Sequence, residues 1–94
     1  MIRSVRLVGS ARNDVAKLVA FLAERNPRAA SEAAMAISDA LLSLNEFAER
    51  GHPAKREGFR EFVVRYGRDG YVIRYRVLDH SVIVLRVYHG KQDR

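Results

Sequence analysis

The chain has 94 residues, a hydrophobic fraction of 48% and a formal net charge of +6. That is room for one domain spanning residues 1–94 and none for a separate cofactor domain. The absence of cysteine excludes a disulfide framework and thiolate metal sites and suits a reducing compartment. No apolar run reaches the roughly 18–20 residues a membrane helix needs, and the N-terminus MIRSVRLVGSARND carries charge but no apolar core of a signal peptide. The expectation is a cytoplasmic protein with no membrane association.

Ile2 to Val8 places apolar residues around Arg3 and Arg6 and predicts a short first strand. Gly9-Ser10 breaks it, with Ser10 as the expected N-cap of a helix. Ala11, Val15, Leu18, Val19 and Leu22 then recur at spacings of three and four, one apolar stripe ending near Arg25. Asn26-Pro27 opens a second helix, Asn as cap and Pro where a missing N–H costs nothing. Its stripe runs through Ala30, Ala33 or Ala34, Ile37, Leu41, Leu44 and Phe47 or Ala48. The helix is expected to reach Arg50, with Gly51 as its C′ residue and Pro53 forbidding resumption. So short a break makes the two helices a hairpin.

After a polar loop, three strands are predicted: Phe59 to Tyr66, Tyr71 to Leu78 and Ser81 to Tyr88. Arg68-Asp69-Gly70 and Asp79-His80 provide the turns. The order β-α-α-β-β-β predicts an α+β fold, a helical hairpin on one face of an antiparallel sheet.

Parity along the strands assigns faces. Tyr71, Ile73, Tyr75 and Val77 share one face of their strand. Ile83, Leu85, Val87 and His89 share one face of the next, against Val84, Arg86 and Tyr88. With the apolar sets against the helices, Arg74, Arg76 and Arg86 collect on the open face, and Arg65 joins them. The charge is uneven: residues 59–94 hold eight Lys/Arg against four Asp/Glu. Guanidiniums gathered on one face repel unless anions meet them, so the face is either an anion- or acidic-partner surface or is answered by local carboxylates such as Glu61.

The run REFVVRYGRDGYVIRYRVLDHSVIVLRVYHGKQDR, with the helix start Ala11-Arg12-Asn13-Asp14-Val15 and the stretch NPRAASEAAMAISDALLSLNEFAERGHP, resembles the RelE/ParE toxin superfamily over nearly the whole chain. The closing His-Gly-Lys-Gln-Asp resembles its ParE branch. The resemblance implies the toxin of a type II toxin–antitoxin system that needs no cofactor. Such a toxin is neutralised in a hetero-oligomer by an antitoxin that wraps it with a helix and an extended segment.

Two mechanisms occur in the superfamily. ParE-like toxins poison DNA gyrase by binding; here that places target contacts at Arg86, His89, Lys91 and Arg94, and antitoxin contacts at Arg65, Arg74 and Arg76. RelE-like toxins cleave mRNA on the ribosome, which needs an acid, a base and cations for the developing phosphorane charge. The candidates would be Arg65, Arg74, Arg86 and His89, with Glu61 as a possible base. A third possibility is a homologue that has lost toxicity and only binds antitoxin. Parity puts His89 with the apolar set, which favours a structural histidine. His52 and His80 belong to loop and turn, and the three give no metal spacing. Asp14, Glu24 and Glu32 read as solvated helix charges, and Tyr71 and Tyr75 as packing residues with their hydroxyls at the edge.

Overall fold

The computed structural model describes residues 2–92. In chain order the elements are β1 (Ser4–Leu7), α1 (Gly9–Arg25), α2 (Pro27–Ser43), β2 (His52–Pro53), β3 (Arg60–Val64), β4 (Tyr71–Val77) and β5 (Ser81–His89). The helical hairpin lies on one sheet face, as expected. The sheet has five strands in the order β1-β5-β4-β3-β2 and is mixed rather than wholly antiparallel. β1 runs parallel to β5, Val5 opposite Val82 and Leu7 opposite Val84, because the hairpin carries the chain across before the meander begins. The extra strand β2 is a two-residue pairing of His52 and Pro53 with Glu61 and Arg60.

Local chemistry fixes the α1–α2 corner. The Asn26 side-chain oxygen accepts from the N–H groups of Arg28 and Ala29 at 3.1 and 3.2 Å, and Pro27 opens α2. The start of α1 departs from expectation: Val8 is the cap, without a side-chain bond, and Ser10 instead donates to the Leu85 carbonyl at 3.0 Å. α2 also stops early, at Ser43 rather than near Arg50. The Ser43 hydroxyl donates to the Ala40 carbonyl, and the following residues turn so that both Leu44 and Ala48 enter the core. Gly51 is therefore not a helix cap. It is buried where a Cβ would stand 2.5 Å from the Tyr75 hydroxyl and 2.8 Å from the Glu61 carbonyl oxygen.

The core joins Ala33, Ile37, Ala40 and Leu44 of the α2 region to Tyr71, Ile73 and Tyr75 of β4 and Val82, Val84 and Val87 of β5. The β4 parity holds. In β5 it breaks: Arg74 pairs with Arg86, but Tyr75 pairs with Val84. Leu85 is the extra residue of a β-bulge, and alternation restarts after it. Val82 and Val84 thus face the helices on one side of the bulge and Val87 on the other, while Ile83 and Leu85 are only half-buried.

Candidate functional site: the basic face of the sheet

The open face is built in cross-strand rows. One row sets Glu61, Arg74 and Arg86 side by side on β3, β4 and β5; the next sets Val63, Val72 and Tyr88. Two arginines directly opposed repel. Each is answered by a carboxylate from a different direction. Nε and Nη2 of Arg74 both donate to Oε2 of Glu61, at 3.0 and 2.8 Å, and Glu61 is buried to 7% exposure. Arg86 reaches the sheet edge and donates from Nε and Nη2 to the two oxygens of Asp14, at 2.7 and 3.1 Å. The Tyr88 ring lies between the guanidiniums, 5.3 Å from that of Arg74 and 5.1 Å from that of Arg86.

Asp14, read from sequence as a solvated helix charge, is thus an anchor. Beyond Leu7, β1 no longer covers β5, and α1 lies along the exposed edge instead. Ser10 takes the Leu85 carbonyl, and Asp14 takes the Val87 N–H at 2.9 Å. Burial raises the Asp14 pKa. The Arg86 hydrogen bond, the Val87 N–H and the charges of Arg86 and Lys17 outweigh it and hold the carboxyl below its ordinary value. The bond to Asp14 raises the Arg86 pKa further. No local pattern marks Asp14; only the β1–β5 register brings it to Val87.

Arg76 and Arg65 are exposed, and among the described residues neither forms an ion pair. Arg65 sits one residue past the end of β3.

His89 is on the other face. It pairs with Tyr71 and packs edge-on against that ring, centroids 5.9 Å apart, and Tyr71 stacks on Tyr66. Its Nδ1 accepts the Lys91 N–H at 3.1 Å, and its own N–H donates to the Gln92 side chain at 2.5 Å, closing a knot at the chain's end. With Lys17, Leu18, Phe21 and Lys91 it lines a groove of about 480 Å³ between α1 and β5. Lys91 also lies 3.8 Å from Asp69. Arg94 lies outside the described residues. The glycine of His-Gly follows from packing: the Gly90 N–H donates to the Gly70 carbonyl at 2.9 Å, and a Cβ there would run into the Asp69 carbonyl oxygen.

The tyrosines pack, but their hydroxyls are placed more tightly than at an edge. Tyr75 is fully buried, donating to the Ala48 carbonyl at 2.7 Å and accepting the Gly51 N–H at 2.9 Å. Tyr66 donates to the Ala29 carbonyl at 3.0 Å. Among the described residues no cluster of three or more His, Asp or Glu could hold a metal, and no helix is long and apolar enough to cross a membrane.

Known proteins are similar to this chain in sequence and in fold. The family model described as the ParE toxin of the parDE type II toxin–antitoxin system matches residues 5–94. Two relatives come from Caulobacter vibrioides. Toxin RelE1 is 40% identical over 84 residues, 89% of each chain; toxin RelE3 is 35% identical over 92 residues, 98% of this chain and 99% of that one. A chain of the chromosomal ParDE system of P. aeruginosa superposes with a TM-score of 0.82 over 94% of this chain and 96% of that one, at 20% identity, a likeness of fold alone. A chain of the RelBE2 toxin–antitoxin complex of Mycobacterium tuberculosis superposes at 0.63 with 30% identity, over 95% and 99%. The chain belongs to the ParE toxin family within the RelE/ParE superfamily of type II toxins.

Proposed function

We propose that this toxin acts by binding, that its target is DNA gyrase, and that a cognate antitoxin silences it in the cytoplasm. One observation carries the reading: the groups an RNA-cleaving site would combine lie on opposite sides of the sheet. His89 packs on Tyr71 toward α1, with its Nδ1 already engaged by the Lys91 N–H. Arg74 and Arg86 are on the far face, each committed to a carboxylate. A general acid or base and the cations that stabilise a phosphorane must meet at the same phosphate, within hydrogen-bond reach of the reacting atoms. Here the sheet separates His89 from the arginines, and Glu61, the carboxylate on their side, is buried and bonded to Arg74.

The target surface in this reading takes His89 and Lys91, which line the α1–β5 groove, Arg94 of the C-terminal segment, and Arg86, which Asp14 holds at the β5 edge. The antitoxin surface is the open face, with Arg65, Arg74 and Arg76. In the test, purified toxin is given supercoiled plasmid with gyrase and, separately, translating ribosomes with mRNA. Trapped, cleaved plasmid with intact mRNA is expected. Cleaved mRNA with unaffected gyrase would replace this reading by a ribosome-dependent endoribonuclease. Inertness in both would leave an antitoxin-binding homologue without toxicity.

A further inference from the structure

The C-terminal residues assigned to the target do not stand alone, because the fold sets them against the first helix. Val87, His89 and Lys91 belong to one wall of the groove of about 480 Å³, and Lys17, Leu18 and Phe21 of α1 belong to the other. Those three α1 residues fall within about one helical turn, so they share a side of the helix. Nothing in the sequence ties them to the tail. The packing of α1 along the free edge of β5, fixed by Ser10 and Asp14, does so.

The groove is apolar between two cations. Leu18 is half-buried, and Phe21 is 55% exposed even though the Arg25 guanidinium covers one face of its ring, 3.7 Å from the centroid. Lys17 forms no ion pair among the described residues, and Lys91 reaches only Asp69, at 3.8 Å. The carboxylate inside the groove, Asp14, is already used by Arg86 and the Val87 N–H. His89 brings a donor rather than an anion. Its Nδ1 accepts the Lys91 N–H, which leaves the ring proton to Nε2, and Nε2 has no partner among the described residues. An open apolar surface between ammonium groups matches a ligand that carries both an apolar side chain and carboxylates.

We infer that Lys17, Leu18 and Phe21 of α1 belong to the target-binding surface, and that the groove takes a short acidic segment of the target. One apolar side chain of that segment lies against Leu18 and Phe21. Its carboxylates meet Lys17 on one wall and Lys91 on the other. The inference rests on the reading that this toxin acts by binding gyrase. It adds a second element of the fold to that surface and names the chemistry of the segment held there. A second copy of this chain is the wrong occupant, since it would bring lysines against lysines in a molecule of net charge +6.

The test uses the full-length toxin, gyrase holoenzyme and supercoiled plasmid, scored by the toxin concentration that traps half the plasmid as cleaved DNA. Phe21→Ser and Lys17→Glu should each raise that concentration about five- to tenfold. The effect of Lys17→Glu should shrink as salt is added. Lys55→Glu makes the same change of charge in an exposed loop away from the groove and should leave trapping as it is. In a second measurement p-benzoylphenylalanine replaces Phe21, and irradiation should join the toxin to a gyrase subunit. That cross-link needs no loss of function and decides the matter where a substituted toxin does not fold. Trapping unchanged by both groove variants, an equal loss in Lys55→Glu, or a cross-link only to the antitoxin or to a second toxin would overturn the inference while the gyrase reading stands. Wild-type toxin that traps no plasmid would sink the gyrase reading itself, and the inference with it.

Discussion

Asp14 and Arg86, on α1 and β5, are joined by two charge-assisted hydrogen bonds of 2.7 and 3.1 Å, and the same carboxylate accepts the N–H of buried Val87 at 2.9 Å. The first helix thereby closes the last strand's open edge. Asp14→Ala leaves that N–H without an acceptor, a loss of about 1–2 kcal/mol or roughly 5–10 °C in Tm for a domain of this size. Asp14→Asn keeps an acceptor and should cost less. Because Asp14 titrates below its ordinary value of 3.8 when folded, its contribution is present at all pH above that value and fades as pH falls through the lowered one. The stability gap between wild type and Asp14→Ala, measured by urea unfolding, should be flat from neutral pH down to mild acid and close only in stronger acid. A gap that widens on acidification would contradict the assignment.

Arg74 and Glu61 form the other pair, and here burial sets the magnitude. Arg74→Ala takes both guanidinium donors from a carboxylate whose side chain is 9% exposed, at a cost of about 2–3 kcal/mol after allowing for the solvent that reaches the guanidinium. Removing both partners leaves no buried carboxylate without its guanidinium. The double variant Glu61→Ala/Arg74→Ala should therefore be less destabilised than the two single losses summed, by about 1–2 kcal/mol in a four-protein unfolding cycle. Strict additivity would mean that the pair is decorative.

Of these two pairs, Glu61 was among the carboxylates the sequence offered to the arginines; Asp14 with Arg86 marks where the sequence stops being readable. Asn26-Pro27, the apolar stripe of α2 and the alternation of Tyr71, Ile73 and Tyr75 are local signals, and each places its element, although the α2 stripe continues past the helix end at Ser43. The β5 faces are not local. Val84 and Leu85 are both apolar, so nothing in the chain says which residue the bulge excludes; pairing with β4 decides it, and a one-residue slip moves every later side chain to the other face. Asp14 finds Val87 only through the parallel pairing of β1 with β5. The gathering of arginines on the open face was legible from parity, but their neutralisation by Asp14 was not.

Gly51 is constrained by the tyrosine it touches. The buried Tyr75 hydroxyl bridges the Ala48 carbonyl and the Gly51 N–H, filling the space a Cβ would need. Tyr75→Phe leaves both groups unsatisfied, costing about 1–2 kcal/mol. Gly51→Ala forces the hydroxyl out and should cost about 2–3 kcal/mol. In the Tyr75→Phe background the 2.5 Å approach to that oxygen is gone, so Gly51→Ala should cost less there than in wild type. Equal costs in the two backgrounds, read from thermal or urea unfolding, would place the clash on the Glu61 carbonyl instead.

The open-face arginines differ in what they have left to give a partner. Arg74 is spent on Glu61, whereas Arg65 and Arg76 are exposed and form no ion pair among the described residues. If the antitoxin meets this face with carboxylates, the uncommitted guanidiniums carry the electrostatic attraction. Arg76→Ala and Arg65→Ala should each weaken antitoxin binding by about three- to tenfold with little change in Tm. They should also flatten its dependence on ionic strength, because fewer charge contacts remain to be screened. Arg74→Ala should do the opposite, lowering Tm with a smaller effect on affinity once the fraction folded is accounted for. Titration calorimetry at low and high salt separates the two patterns. Affinity unchanged by Arg65→Ala/Arg76→Ala at both salt concentrations would make this face solvated surface and move the antitoxin elsewhere on the toxin.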